Sequence, residues 1–367
     1  MVASLLFCSL LNTICASQVP FKLGGSLTDS AISVGSDLSD RELRAALQPL
    51  DVIRLSVGPS DFSPYYYDFE TDHSFDVEEK IPFLKRVLAL RSNLTFMATP
   101  WSAPKRFVEP AQSHYKHELK REMTHEYAKV LYDFISFYKR SGIVIHYLSM
   151  QNEPLHFSED YPTMLLPAGK AVALIEAYTK LDSETRILAY DHNPVSKGIR
   201  YCLEVADSKV GSLVYGYAFH HYEGDPEAIR ALSDRGLRVF HTEISSSRDS
   251  EGSYDWHQAK IQAFKKNGAQ WYTYWNLFLD RDSGPIIGTW DQGRPLLWVE
   301  DGKAYTTHEW CLFKDQAGWG DESCEKEQVL KGIGEYEDSQ DEISRAIYAA
   351  NPSLVVFVFC IVTVQSI

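Results

Sequence analysis

Between residues 21 and 280, short apolar runs alternate with stretches in which apolar residues return every three or four positions. That alternation predicts buried parallel strands joined by crossover helices. Eight strand candidates can be read: FKLGG (21–25), VIRLSVG (52–58), LTFMATPW (94–101), IHYLSMQNEP (145–154), RILAYD (186–191), YGYAFHHY (215–222), RVFHTEIS (238–245) and WYTYWNLFL (271–279). Helical spacing is clearest in KIPFLKRVLAL (80–90) and in EYAKVLYDFISFYKRSG (126–142), where Gly142 supplies the stop. DPEAIRALSDRG (225–236) and DWHQAKIQAFKKNG (255–268) each begin on an acidic cap and end at glycine.

Eight strands with intervening helices is the count of an α/β (β/α)8 TIM barrel. The competing architecture, an open doubly wound sheet, would carry a glycine-rich phosphate turn after its first strand. Gly24-Gly25 has no third glycine at that spacing, so tight strand geometry explains the pair better than nucleotide binding. The eighth helix is expected from AYTTHEWCLFKD (304–315). A barrel left open there would expose apolar strand edges.

The ends read differently. Residues 1–16, MVASLLFCSLLNTICA, look like a secretory signal peptide without a basic start. Residues 17–320 hold the barrel, 321–353 form a charged, linker-like segment, and 354–367 are a short apolar tail. The run LVVFVFCIVTV (354–364) falls well short of the ~20 residues of a membrane span and is read as a removable anchor signal or a truncated end. In an oxidising compartment, Cys311 and Cys324 are close enough in sequence to close a loop, with free thiols as the alternative. Asn93-Leu94-Thr95 is a glycosylation sequon.

Composition narrows the partners. A formal charge of −14 with no basic stripe excludes a nucleic-acid partner. Aromatic residues make up 13% of the chain, enough for a core and for a pocket that stacks sugar rings.

In a TIM barrel the chemistry sits at the carboxyl ends of the strands. Glu153 closes strand four within Gln-Asn-Glu-Pro, and Glu243 closes strand seven after Val-Phe-His-Thr. Two carboxylates across one barrel mouth are the equipment for glycosidic hydrolysis, one raised in pKa as acid and the other kept ionised. Asp61, Trp101, His220, Tyr222, Trp275 and Asn276 complete a ring of strand-end candidates, and Asn152 offers an amide for a sugar hydroxyl. Neighbouring His220 and His221 point to opposite faces of a strand without a third ligand, so no metal is expected, and no cofactor either. No G-x-S-x-G nucleophile elbow occurs.

These motifs, GGSLTDSA, VIRLSVGPSDFS, ATPWSAP, QNEP, AFHHY, HTEIS and YWNLF, follow one another in an order and spacing that resemble the glycoside hydrolase family 30 enzymes, lysosomal glucosylceramidases among them. The resemblance spans residues 21–310. It implies a retaining mechanism with Glu243 as nucleophile and Glu153 as acid/base. It also implies a glucose site lined by Asp61, Trp101, Asn152 and Trp275, with His220 and Tyr222 near the nucleophile and Arg54 beneath it. Glucosylceramide is the implied substrate, met at a membrane surface with a small saposin-like activator protein, in the lysosome or after secretion. β-1,6-Glucan or xylan as substrate, or a silent glycan-binding barrel, remain open. His221 stands where the family has a Trp, and the family's accompanying β-sandwich is expected to be absent or truncated.

Overall fold

The computed structural model describes residues 20–109, 117–247, 253–287 and 293–319. The leader, the charged segment and the apolar tail expected from the sequence lie outside these residues, as does Cys324. Among the described residues no helix is long and apolar enough to cross a membrane. Cys311 is disulfide-bonded, Cys202 is a free buried thiol, and Asn93 is exposed in a turn.

Eight parallel strands close into a barrel: β1 (Lys22–Leu27), β2 (Val52–Val57), β3 (Thr95–Pro100), β4 (Ile145–Ser149), β5 (Arg186–His192), β6 (Val214–His220), β7 (Val239–Glu243) and β8 (Ala269–Tyr274). Closure runs through β1, whose Gly24 registers with Val52 of β2 on one side and Thr273 of β8 on the other. A Cβ on Gly24 would lie 2.8 Å from both the Val52 carbonyl oxygen and Thr273 Oγ1, so the seam tolerates only glycine there. The open edge feared from the sequence does not exist.

Strand alternation divides the barrel interior into layers. Val52, Met97, Tyr147, Leu188, Ala218, Phe240 and Trp271 pack together as an apolar plug low in the barrel. Two residues further along, the same face carries Arg54, Thr99, Ser149, His220, Thr242 and Thr273, all buried. The polar layer therefore sits on an apolar floor, directly under the carboxyl ends of the strands. The intervening residues, such as Ile53, Phe96, Leu148, Ala189 and Phe219, face outward into the main core under the helices.

The surrounding helices are α1 (Asp29–Gly35), α2 (Asp40–Leu47), α3 (Ile81–Leu90), α4 (Thr124–Arg140), α5 (Ala168–Thr179), α6 (Ser196–Ala206), α7 (Arg230–Ser233), α8 (Ser253–Lys266) and α9 (His308–Gln316). The stop after α4 is Gly142 at φ +87°. Asp225 does cap its segment, accepting from Glu227 N at 2.9 Å, but that segment is a 3-10 turn running into one helical turn. Asp255 is not the cap of α8; the helix begins at Ser253 and Asp255 lies in its first turn.

The expected eighth helix also divides. Phe278–Leu279 (β9), Leu297–Glu300 (β10) and Lys303–Thr306 (β11) form a small sheet beside the barrel, and α9 starts only after Thr307, whose side chain caps Trp310 N. The last predicted strand breaks for the same reason: the chain leaves the barrel at Trp275, turns at Asn276 with φ +64°, and enters β9.

Candidate active site

Arg54, the first polar residue above the plug on β2, organises the site. It is fully buried, and its Nη1 donates to Glu243 Oε2 at 2.5 Å while Nη2 donates to Asn152 Oδ1 at 2.8 Å and Asp191 Oδ2 at 3.1 Å. Burial alone would lower its pKa, but Asp191 and Glu243 outweigh this and raise it. Its guanidinium carbon also sits 4.8 Å from the Trp101 ring and 5.4 Å from the Trp275 ring.

Glu153 is not on β4, which ends at Ser149. Its loop is stitched to both neighbouring strands, Asn152 N to Pro100 O at 2.8 Å and Glu153 N to Asp191 O at 3.0 Å, and Glu153 itself has φ +46°. That backbone conformation is uncommon for a residue with a side chain and aims the carboxylate across the mouth. Its Oε1 accepts from His192 Nδ1 at 3.1 Å and His220 Nδ1 at 3.2 Å.

His220 faces acceptors on both sides. Its Nδ1 meets Glu153 Oε1, and its Nε2 meets Asp191 Oδ1 at 3.2 Å. An ionised carboxylate can only accept, so both contacts are hydrogen bonds when the ring carries both protons. Burial opposes that charge, but Glu243, Asp191 and Glu153 prevail and push the pKa up to about 9. Asp191 is satisfied by Arg54, Thr99, His220 and Thr242, and these donors overcome its burial to hold it well below the usual carboxylate range.

Glu243 ends β7 as expected. Tyr222 OH donates to its Oε1 at 3.0 Å although the Tyr222 ring is exposed, and His220 Nδ1 lies 3.6 Å from the same oxygen. Glu153 departs from expectation in its charge. Burial favours its neutral form, yet the His192 and His220 hydrogen bonds win and hold it below the ordinary range, so the resting proton of the pair resides on His220. The raised carboxyl is instead Asp61, pushed to about 7 by burial, then by Glu243 and Glu153.

Asp61 therefore carries a pH signature. Its folded-state pKa lies above its unfolded value of 3.8, so its stabilising contribution is full below 3.8 and is lost as pH rises to about 7. The thermal midpoint of the parent chain is expected to fall relative to Asp61→Asn over that window. Midpoints recorded from pH 4 to pH 7 check this; a parent-minus-variant difference that stays constant or rises with pH contradicts it.

The two tryptophans are walls more than platforms. Trp101 and Trp275 stack on each other at 5.1 Å and 23°, Phe62 meets Trp275 edge-on, and both indoles are buried. Their faces are largely taken by each other, by Phe62 and by Arg54. Asn276 accepts from Thr28 Oγ1 at 2.8 Å, and its buried Nδ2 has no partner among the described residues, which leaves it able to donate to a ligand. His221 does point away from the site, its Nε2 near the Gly224 carbonyl and Lys260.

Nine of the ten residues chosen from the sequence are thus joined around one mouth through direct bonds, ring contacts or shared charge, and Asn276 follows Trp275 in the chain. Four further residues belong with them. Asp191 and His192 end β5 and Asn193 follows it, Asn193 Oδ1 accepting from Tyr222 N and Glu223 N, and Tyr161 meets His156 Nε2 at 3.1 Å close to the carboxylates. The polar run Asp-His-Asn-Pro at the end of the fifth strand was the available signal.

A scan of family models matches residues 48–291 to the glycosyl hydrolase family 30 TIM-barrel domain. The chain is 26% identical over 299 residues to an endo-1,6-β-D-glucanase of Neurospora crassa, covering 72% of this chain and 61% of that one. It is also 26% identical over 271 residues to a Caenorhabditis elegans protein provisionally named a glucosylceramidase, covering 63% and 52%. It therefore spans between half and two thirds of the length of these relatives. The fold matches the solved structure of an endo-β-1,6-glucanase with a TM-score of 0.75 at 20% identity, over 82% of this chain and 76% of that one.

Proposed function

The chain belongs to glycosyl hydrolase family 30, and from that premise we propose that this glycosidase is a retaining enzyme acting on β-1,6-linked glucan, with Glu243 as nucleophile and Glu153 as acid/base. The observation that carries the mechanism is His220 Nδ1, 3.2 Å from Glu153 Oε1 and 3.6 Å from Glu243 Oε1. Those two contacts hold the carboxylate oxygens within about 7 Å, which leaves out most of the ~6.5–9.5 Å range of inverting pairs.

In the first displacement Glu243 Oε1 bonds to the anomeric carbon as the glycosidic bond breaks, and the leaving oxygen takes a proton from Glu153. Arg54 fixes the other nucleophile oxygen. The proton Glu153 needs is one hydrogen bond away, on His220. Esterification removes the Glu243 charge that favours protonated His220. In the second displacement Glu153 accepts a proton from water as its oxygen bonds to the anomeric carbon and the ester breaks.

The substrate class rests on the relatives, among which the endo-1,6-β-glucanase matches over more of this chain than the glucosylceramidase-like protein. Glucosylceramide is the second reading, supported by a groove of about 740 Å³ whose lining includes Tyr161, Phe157, Pro162, Ala103, Val108 and Ile287. An apolar groove of that size suits a lipid aglycone. A membrane surface and a small activator protein belong to this second reading.

Initial rates on a linear β-1,6-glucan and on detergent-dispersed glucosylceramide separate the two. The glucan is expected to be cleaved with at least ~10-fold higher kcat/KM, a difference of about 1.4 kcal/mol in transition-state stabilisation, and to release the β-anomer first. Reversal of the preference installs the second reading; inactivity of the folded chain on both removes the substrate class.

A further inference from the structure

Glu153, His192 and His220 do more than share a proton. Their Oε1, Nδ1 and Nδ1 atoms lie within 4.8 Å of one another, and the carboxylate oxygen is 3.1 and 3.2 Å from the two ring nitrogens. A zinc ion bound at ~2.0–2.1 Å by tetrahedral ligands has ligand-to-ligand edges of about 3.3 Å. Two of the three edges thus already match such a tetrahedron, and the third, between the two imidazoles, lies within 4.8 Å and closes as the ion draws the rings together.

The surroundings complete the case. A ligating imidazole is normally oriented by an acceptor on its far nitrogen, and His220 Nε2 meets Asp191 Oδ1 at 3.2 Å, itself fixed by Arg54 and Thr242. Glu243 Oε1, 3.6 Å from His220 Nδ1, or a water can fill the fourth position. Asp191 and Glu243 both pair with the Arg54 guanidinium and Glu153 adds a third carboxylate, so the cavity favours added positive charge. Two imidazoles and a carboxylate are a donor set for zinc and its neighbours, not for magnesium or calcium.

We propose that these three side chains bind a divalent transition cation of the zinc class, which occupies the Glu153 oxygen and switches the hydrolase off. The cation engages the Glu153 oxygen that must carry the proton, so bound metal and acid/base catalysis exclude each other. This extends the proposed function at the same site, but metal binding is read without turnover.

The test uses the full chain in chelator-free buffer. Calorimetric titration with zinc chloride is expected to show one site, and cobalt(II) to give the visible absorption of a four-coordinate nitrogen and oxygen site that zinc then displaces. Zinc should inhibit aryl β-glucoside hydrolysis reversibly with EDTA, while magnesium at equal concentration does nothing. His192→Gln should raise the zinc concentration for half-occupancy at least ~10-fold. Unchanged zinc affinity in that variant, or no calorimetric binding up to about 1 mM, which corresponds to only about 4 kcal/mol of binding free energy, overturns the proposal. If the variant does not fold, the cobalt spectrum of the parent decides: its absence, or octahedral bands, overturns the site. Metal binding without glucoside turnover would fail the proposed function and leave the site standing.

Discussion

Glu243→Gln is expected to lower kcat on an aryl β-glucoside by roughly 10⁴-fold or more, with a far smaller change in KM. The amide keeps the volume of the side chain and an oxygen for the Tyr222 hydroxyl, which donates at 3.0 Å, but it cannot form the ester to the anomeric carbon. Glu153→Gln should behave differently. Its loss falls mainly on substrates whose leaving oxygen needs a proton, so an activated aryl glucoside should retain much of its first step while a glucan does not. Added azide sharpens the assignment, because it attacks from the face left open by the missing group. It should give the α-glucosyl azide when a truncated Glu243 leaves its side empty and the β-glucosyl azide when Glu153 is truncated. Product stereochemistry by NMR and kcat by initial rates check both. Turnover within about tenfold of the parent in Glu243→Gln would remove it as nucleophile.

The barrel was legible because strands buried on both faces leave continuous apolar runs, and all eight appear in the sequence near their observed positions. The layer above the plug is legible too, since Arg54 follows Val52, and His220 follows Ala218, at the period of a strand. Placement past the strand ends was not. Glu153 reads as the last residue of a strand, but it sits four residues beyond one at φ +46°, where hydrogen bonds to β3 and β5 decide its direction. Asp191 and His192 were passed over for a related reason. A carboxylate and an imidazole at a strand end have no motif of their own, and their value comes from residues more than twenty positions away.

Lys80 shows the limit most clearly. It lies on a segment whose periodicity suggests a solvated charge, yet its Nζ pairs with Asp29 Oδ1 at 2.7 Å in full burial. Asp29 in turn accepts from Ser56, Ser63 and Tyr67, which fixes the 60–67 loop that carries Asp61. A charge pair of this kind is specified by three dimensions, and no local pattern announces it.

Arg54→Met is expected to destabilise the fold by about 3–5 kcal/mol, because removing one partner of a buried ionic cluster leaves the others without compensation. The side chains are close in length, so the loss is of charge and hydrogen bonds rather than of volume. Glu243 Oε2 and Asn152 Oδ1 would each lose their Arg54 donor, and Asp191 would lose its only arginine. The thermal midpoint should drop by roughly 5–10 °C. Arg54→Lys should recover only part of this, since an ammonium restores the charge but not the planar fork that reaches Glu243 with one nitrogen and Asn152 and Asp191 with the other. Urea unfolding and thermal midpoints measured at several pH values test the account, and a deficit under about 1 kcal/mol would place the cluster's stability elsewhere. The pH dependence has a defined sign. Arg54 is the foremost group holding Asp191 below the ordinary carboxylate range, so without it Asp191 takes up a proton at higher pH and sheds the unpaired charge. The deficit of Arg54→Met should therefore be greatest at neutral pH and shrink on acidification, whereas a simple loss of packing would leave it independent of pH.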